Sequence, residues 1–298
     1  MSNRARETII ECIRKAQYSG SNEEDIRQQA LQTLVAVTKI SPQNRNFVAQ
    51  IDGAISLLLS LSKSHFPQDQ IQILALSVLF NLSLNPNLKN SLARTELILH
   101  LNTLVLSSND SIDSGKLAAS LLCSLAMLDK NKAKFGVTGT VQVLVKAIAG
   151  PRRPASHHLL SSLAELVQFQ GNCTLAVRAG AVQVLIAVAE SADGEDLSGT
   201  SLVALGLIAR FEEGLNELKR TDRIVVRMVG ILKRGCMLSK DGASEILLRL
   251  FDESEECLRD AVALPELSSV LADVSVRCTG RARKKAGLLM NKVMVASV

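Results

Sequence analysis

The chain has 298 residues, of which 47% are apolar and 21% charged, with 34 Lys and Arg against 29 Asp and Glu and a net charge of +5. This composition excludes a disordered chain, and the length is sufficient to bury a sizeable core. Because seven Phe, one Tyr and no Trp leave few stacking surfaces for bases, we expect no nucleic-acid partner.

The cysteines and the apolar segments predict a location inside the cell. No two of the six cysteines are closer than 21 positions, so the sequence offers no C-x-x-C pair for zinc or redox chemistry. Buried thiols in a reducing compartment, cytoplasmic and/or nuclear, are expected. Charges interrupt every apolar stretch near the N-terminus, so no secretion signal is expected. The longest uncharged apolar run, Leu117 to Leu128, is shorter than the roughly twenty residues of a membrane span, and none is expected.

An internal repeat organises the chain. Six apolar helices are predicted to begin near positions that are 41 to 43 residues apart, namely Ile55, Ile98, Val141, Val182, Ile224 and Leu267. A longer helix in each copy carries a pair of core residues three apart: Leu34/Val37, Leu79/Leu82, Leu122/Leu125, Leu163/Leu166, Ala204/Leu207, Leu247/Leu250 and Met290/Val293. Periods of this length are typical of solenoids, and seven copies are predicted.

Each copy has the same predicted elements. A short polar helix is followed by a helix of about ten residues such as Val141 to Ala149, a loop, and a longer helix such as Ala155 to Gln168. Apolar residues recur at three and four positions, which is helical spacing, and strand signals are absent. The first copy lacks the short helix and begins with a capping helix from Glu7 to Tyr18.

These elements predict an all-α solenoid that forms one continuous domain over residues 1–298. A helix pair of this size cannot bury its apolar face alone, so its stability comes from stacking on neighbouring copies. The N-terminal capping repeat is expected at about 1–50 and the C-terminal one at about 255–298.

Specific residues of the predicted solenoid also resemble those of a known repeat family. Gly53-Ala54-Ile55, followed by Leu79-Phe80-Asn81-Leu82-Ser83, looks like an armadillo repeat, and Gly139-Thr140-Val141 and Gly180-Ala181-Val182 repeat its entrance. Glycine there permits a sharp turn between helices. Glu96, Asp222 and Pro265 stand where the family prefers glycine.

Two longer segments resemble one group of armadillo proteins, the plant U-box ubiquitin ligases. The stretch from Glu23 to Ile55 is similar to the opening of their armadillo region, and the stretch from Arg281 to Leu289 is similar to its closing repeat. The resemblance covers essentially the whole chain and implies a right-handed superhelical armadillo solenoid of about seven repeats.

The same resemblance bears on catalysis. In those ligases a U-box before the repeats holds a ubiquitin-loaded conjugating enzyme, and Met1 to Gly20 are too few residues for one. The resemblance therefore implies the substrate-recruiting or regulatory part without the ligase part.

The residues themselves also favour a chain that is not an enzyme. The histidines, His65, His100, His157 and His158, show no H-x-x-x-H spacing and no acidic neighbour at metal-ligand spacing, so neither a metal nor a cofactor is expected. A Cys/His pair formed only in three dimensions stays an open alternative.

The resemblance also implies a binding surface, because armadillo proteins bind partners on their concave face. Helical geometry assigns to that face two columns of the long helix: Ser77/Asn81, Ser120/Ser124, Ser161/Glu165, Leu202/Gly206, Glu245/Arg249 and Leu288/Lys292. In importin-α these columns carry Trp and Asn at W-x-x-x-N spacing and hold a basic peptide. Because this chain has no Trp and keeps only Asn81, an import receptor is disfavoured.

Basic residues concentrate at the C-terminal end. Arg281, Arg283, Lys284 and Lys285 form a basic patch that either caps the last repeat or attracts an acidic partner. Arg249 and Lys292 lie in the same column of adjacent repeats. We therefore expect a bound segment to place acidic or phosphorylated residues there, unless Glu245 neutralises Arg249 through i,i+4 pairing.

Three functional hypotheses remain. The first is a non-enzymatic scaffold that binds a segment of another protein in the groove and is linked to ubiquitination or signalling. The second is the substrate-recruiting part of a U-box ligase, with catalysis supplied in trans. The third is a nuclear-transport adaptor. The sequence fixes neither the partner nor the oligomeric state.

Overall fold

A computed structural model describes residues 3–17, 24–63, 70–107, 112–191 and 194–296, and these residues form twenty α-helices and no strand. The helices are α1 (Asn3–Ala16), α2 (Glu24–Ile40), α3 (Pro42–Gln50), α4 (Ala54–Ser62), α5 (Gln70–Ser83), α6 (Pro86–Leu92), α7 (Thr95–Leu106), α8 (Ile112–Ala126), α9 (Asp129–Val137), α10 (Thr140–Ala149), α11 (Ser156–Leu166), α12 (Gln170–Arg178), α13 (Ala181–Glu190), α14 (Glu195–Ile208), α15 (Glu212–Arg220), α16 (Ile224–Arg234), α17 (Met237–Glu253), α18 (Glu255–Val262), α19 (Leu267–Arg277) and α20 (Gly280–Ala296). The all-α prediction is confirmed.

The helices follow the predicted repeat. After a two-helix copy, α1 and α2, six copies contain three helices each, which we call the first, second and third helix of a repeat. The third helices are α5, α8, α11, α14, α17 and α20. We count α2 with them, although its copy has only two helices. The capping helix α1 begins at Asn3, four residues before the predicted start. Tyr18 and Gly20, and likewise His65, lie outside the described residues.

The chain divides into two compact units, Met1–Val143 and Leu144–Val298, which we call unit 1 and unit 2. In unit 1 the third helices α2, α5 and α8 pack side by side. In unit 2 the same arrangement joins α11, α14, α17 and α20. The single continuous domain over 1–298 stays a prediction.

The predicted core residues are buried in both units. Leu79, Leu82, Leu122 and Leu125 of unit 1 are at most 1% exposed, and so are Leu163, Leu166, Leu247 and Leu250 of unit 2. Val37, Leu207 and Met290 are only half-buried. Thr38 and Ile208, each one position later, are fully buried instead. Thr38 satisfies its hydroxyl by donating to the carbonyl oxygen of Leu34 at 2.6 Å.

The turns into the second helices explain part of the glycine pattern. Gly53, Gly139 and Gly180 have φ between +73° and +81°, a region that glycine adopts without the steric cost of a Cβ. Arg223 adopts φ +52° at the equivalent turn before α16. The residue in the glycine position is therefore Arg223, and the assignment of Asp222 was wrong by one residue.

Two other turns enter the second helix without a left-handed residue. Arg94 before α7 has φ −82° and Glu266 before α19 has φ −85°. In both cases a glutamate at the start of the helix pairs with a lysine at the end of the preceding second helix. Glu96 pairs with Lys63, and Glu266 pairs with Lys233 at 3.0 Å. Glycine is absent where the backbone no longer requires it.

Candidate functional site

The partly exposed side of the third helices, which we call the third-helix surface, carries the predicted binding columns. In unit 1 it presents Ser77 on α5 and Ser120 on α8, both half-buried. Each hydroxyl donates to a carbonyl oxygen four residues earlier, to Ile73 at 2.7 Å and to Lys116 at 2.8 Å. The oxygen lone pairs of both serines remain available to accept hydrogen bonds from a partner.

The second column of unit 1 is engaged inside the protein. Asn81 is 7% exposed, and its Nδ2 donates to the carbonyl oxygen of Val35 at 3.1 Å and to Oγ1 of Thr38 at 3.0 Å. Ser124 is 8% exposed and exchanges hydrogen bonds with Ser83. These side chains join adjacent third helices, so the structure places them in the seams between repeats.

In unit 2 the columns begin with Ser161 and Glu165 on α11, both half-buried. Glu165 accepts a hydrogen bond from Nε2 of Gln168 on the next turn at 3.1 Å. This pair gives the third-helix surface of unit 2 a polar start.

The next predicted pair, Leu202 and Gly206 on α14, needs a correction. Leu202 is fully buried. A Cβ at Gly242 on α17 would lie 2.7 Å from Cβ of Leu202, so the glycine allows α17 to close over this leucine. Val203, one position later, is 40% exposed and takes the place on the third-helix surface. The sequence register was wrong by one residue in this repeat.

On α17, Glu245 and Arg249 are brought together. The carboxylate and the guanidinium pair at 3.2 Å, and both side chains are 35% exposed. Lys285 of α20 approaches the same Glu245 at 3.2 Å and Asp241 at 2.9 Å. The predicted neutralisation of Arg249 is therefore present in the structure.

The remaining predicted cations differ in their surroundings. Lys292 pairs with Asp252 of α17, whereas the Arg281 side chain is 85% exposed and its Nε lies 4.0 Å from Asp241. Arg283 and Lys284 are exposed, but the Lys285 side chain is only 17% exposed. The basic patch is therefore one buried ion-pairing lysine and three exposed cations.

A cavity of about 390 Å³ opens beside Arg249 in unit 2. Its lining combines cations with carboxylates, including Arg210, Lys219, Asp252 and Glu253. The sequence missed this cavity because its residues come from the turn after α14, from α15 and from α17, which are brought together only by stacking. The mixed charge suits polar side chains of a protein segment better than an apolar small molecule.

The described residues assemble no metal site: no group of three His, Cys, Asp or Glu side chains stands close enough to hold an ion. All six cysteines are free thiols. Burial raises the pKa of Cys173 to about 12, and burial also raises the pKa of Cys12. Both thiols are protonated at neutral pH and are therefore poor nucleophiles.

The histidines are dispersed as well. His100 contacts the carbonyl oxygen of Ser62 at 2.8 Å through Nε2. The rings of His157 and His158 lie 6.0 Å apart, edge to face. The first contact joins α7 to α4, and the second lies within α11.

Across the described part of the chain, no single helix is both long and apolar enough to cross a membrane. The helices α12 and α13 reach the required length and hydropathy only together, and a bend of 77° separates them.

Comparison with known proteins identifies the repeat. Residues 8–297 match the family described as the plant U-box protein ARM repeat region. The chain is 27% identical over 218 residues to U-box domain-containing protein 8 of Arabidopsis thaliana. The matched residues cover 73% of this chain and 56% of that protein. It is 30% identical over 119 residues to U-box domain-containing protein 1 of Medicago truncatula, covering 38% and 16%. The chain thus spans about half of the first relative and a smaller part of the second.

Solved structures agree on the fold. An engineered protein matches with a TM-score of 0.81 at 17% identity, over 97% of this chain and 72% of that one. A computationally designed armadillo repeat protein for modular peptide recognition matches with a TM-score of 0.62 at 13% identity, over 95% and 99%. The fold is that of armadillo repeat proteins, and the chain belongs to the family of plant U-box protein ARM repeat regions.

Proposed function

We propose that this chain is a non-enzymatic scaffold that binds an extended or helical segment of a partner protein along its third-helix surfaces. The observation that carries the proposal is the regular spacing of partly exposed side chains on adjacent third helices within each unit. These are Ser77 and Ser120 in unit 1, and Ser161, Val203, Glu245 and Leu288 in unit 2. Stacked repeats of this kind offer an extended segment one contact per repeat.

The comparisons support an interaction role. The chain belongs to the family described as the plant U-box protein ARM repeat region, and its relatives are named as U-box domain-containing proteins. One of the structural neighbours was designed for peptide recognition. Sequence similarity is too low for the partner of either relative to be transferred to this chain.

The experiment that tests the scaffold is selection of binders from a display library of linear peptides. We expect enriched peptides to lose binding when Ser120→Arg or Val203→Arg blocks a third-helix surface. Matched controls add the same side chain to exposed positions on second helices, Gln142→Arg in unit 1 and Ser268→Arg in unit 2. Equal loss in a control, or no enriched peptide, would contradict the proposal.

A second candidate is the recruiting part of a U-box ligase whose catalysis comes from another chain, and the family match favours it. We expect no ubiquitin transfer when the chain is mixed with activating and conjugating enzymes alone. Addition of a U-box protein that binds this chain should restore transfer to the bound partner. Ubiquitin chains formed without that protein would show that the chain is itself a ligase.

The proposed site of action is the cytoplasm, the nucleus or both. Six free cysteines support a reducing compartment. Fluorescence of a tagged full chain in plant cells tests this location, and an endomembrane or secreted signal would contradict it. A nuclear-transport adaptor, the third hypothesis, requires binding of a basic import peptide, and we expect none because Trp is absent from the chain.

A further inference from the structure

The C-terminal end of the unit 2 third-helix surface has more positive charge than its own carboxylates compensate. Six cations lie on α20 and on its neighbours α17 and α19, namely Arg249, Arg277, Arg281, Arg283, Lys284 and Lys285. Four of them pair with the three carboxylates Asp241, Glu245 and Asp273. Each carboxylate already has a closer partner than Arg281. Asp273 pairs with Arg277 at 2.7 Å, and Asp241 pairs with Lys285 at 2.9 Å.

The side chains with uncompensated charge are also the accessible ones. Arg281 has the most exposed side chain of any cation in these ion pairs, at 85%, and Lys284 is exposed one turn later. By contrast, Arg249 and Lys292, the cations that the sequence favoured for this role, each pair with a carboxylate of α17. The structure therefore moves the anion-attracting position from Arg249 and Lys292 to Arg281 and Lys284.

The placement of these cations in the first turn of α20 does not stabilise the helix. The first turn of α20 contains no acidic residue, and cations there oppose the positive end of the helix dipole. The cations, rather than the helix end, form the attractive feature, because their flexible side chains extend into solvent.

An apolar contact lies beside these cations. Leu288 is 54% exposed. At 100° per residue, Arg281, Lys284 and Leu288 fall within about 60° of one another on α20, on the side that continues the third-helix surface. Arg283 falls on the opposite side of the helix. Lys284 and Leu288 are separated by four residues, which is a rise of about 6 Å and matches about two residues of an extended segment.

From this arrangement we infer that Arg281, Lys284 and Leu288 form a subsite for an acidic segment of a partner protein. The segment places an Asp or Glu side chain on the two cations and an apolar side chain, two residues away, on Leu288. Guanidinium groups bind carboxylates through two parallel hydrogen bonds, which favours a protein carboxylate held at a fixed position. The scarcity of aromatic residues speaks against nucleic acid as the occupant. The inference rests on the proposed scaffold function and specifies the chemistry of one end of its surface.

The test uses the full chain and two labelled extended peptides. One contains glutamates two residues from a leucine, and its counterpart has glutamine at each glutamate. We expect the acidic peptide to bind at least about tenfold more tightly, because charge-assisted hydrogen bonds are about twice as strong as neutral ones. This advantage should shrink as salt is raised.

The matched variants are Arg281→Glu with Lys284→Glu, against Arg283→Glu, which changes charge in the same helical turn on the opposite side. The double variant should remove the preference for the acidic peptide, and Arg283→Glu should retain most of it. Acidic residues suit the first turn of a helix, so all variants should keep their melting temperature. A Leu288→Ser variant should weaken both peptides equally.

Each contrary result overturns the subsite. Equal affinity for the two peptides, no binding of either, or equal loss in the Arg283→Glu variant would do so, and so would preferential binding of an oligonucleotide or of anionic lipid vesicles at Arg281. Failure of the subsite is distinguishable from failure of the scaffold. Library peptides that depend on Val203 but not on Arg281 would retain the scaffold and exclude the subsite.

Discussion

The seams of unit 1 and the last seam of unit 2, between α17 and α20, join third helices by different chemistry. In unit 1 the seams contain neutral hydrogen bonds, from Asn81 to Thr38 and between Ser83 and Ser124. In unit 2 the seam between α17 and α20 contains ion pairs made by Lys285 and Lys292. The repeat requires only that polar groups in a seam find partners. A polar residue in a binding column can therefore serve the stacking of repeats instead of a ligand.

Each unit has an apolar core beneath its seams, and disruption of this core should have the largest effect. Leu122→Asp in unit 1 and Leu247→Asp in unit 2 each place a carboxylate at a position at most 1% exposed. Burial of an unpaired carboxylate should lower the free energy of unfolding by at least about 3 kcal/mol. Thermal unfolding followed by circular dichroism measures this loss.

The control for both core variants is Val137→Asp, because Val137 is 91% exposed. Surface changes of this kind should cost less than about 1 kcal/mol. A Leu122→Asp protein with an unshifted melting temperature would contradict the packing described for α8.

Removal of one seam contact should cost more stability where the contact is a buried hydrogen bond than where it is an exposed ion pair. Asn81→Ala in unit 1 leaves Thr38 and the carbonyl of Val35 without a donor in a buried site, which should cost about 1–3 kcal/mol. Lys292→Ala in unit 2 removes a pair whose lysine side chain is 36% exposed. Solvent screens such a pair, so the cost should be below about 1 kcal/mol.

Urea denaturation of the two single variants makes this comparison. The midpoint should fall further for Asn81→Ala than for Lys292→Ala. The reverse order would mean that ion pairs, not buried amide hydrogen bonds, dominate the seams.

Salt provides a finer contrast. Lys285→Met leaves Asp241 and Glu245 without their shared lysine and should destabilise the protein by about 1 kcal/mol at low ionic strength, an effect that decreases as NaCl is added. Lys284→Met, an exposed neighbour, should change stability little at any salt concentration. The cost of Asn81→Ala should be independent of salt. An equal salt response in Asn81→Ala and Lys285→Met would remove the distinction between the units.

The sequence predicted the repeat because its signal is local and recurs. Apolar positions such as Ile98 and Val182 mark the second helices in every copy, and both are fully buried. The sequence placed Leu202 wrongly because the rotation of α14 depends on Gly242, which lies forty residues later and admits α17 closely. Long-range packing of this kind leaves no trace in helical periodicity.

The sequence could indicate which side of the helices forms the candidate site. It could not indicate which polar side chains on that side remain free to bind a partner. Residue spacing assigned Ser77 and Asn81 to neighbouring columns of one predicted binding surface. Only the stacking of α5 on α2 determines that Asn81 donates to Val35 and Thr38, whereas Ser77 stays half-exposed. Lys292 likewise has no partner that its sequence neighbours would indicate, whereas the structure places Asp252 of α17 beside it.

Unit 1 also contains an ion pair, between Lys63 and Glu96, although its seams contain neutral hydrogen bonds. We expect the loss of this pair to have the smallest effect. The hydrogen bond from Lys63 lowers the pKa of Glu96 below the ordinary value of a glutamate. Because the folded pKa is lower than the unfolded one, the folded state binds fewer protons. The pair therefore contributes stability above the unfolded pKa, and this contribution disappears as the pH falls through the folded pKa.

A Glu96→Gln variant tests this contribution. It should be slightly less stable than the natural chain at pH 7, and the two proteins should converge in stability as the pH falls through the lowered pKa of Glu96. Glu266→Gln, which removes the corresponding pair with Lys233 in unit 2, provides the comparison at the equivalent turn. Melting temperatures across this pH range measure both differences. A Glu96→Gln difference that persists unchanged at acidic pH would show that the carboxylate acts through packing of the turn before α7 rather than through its charge.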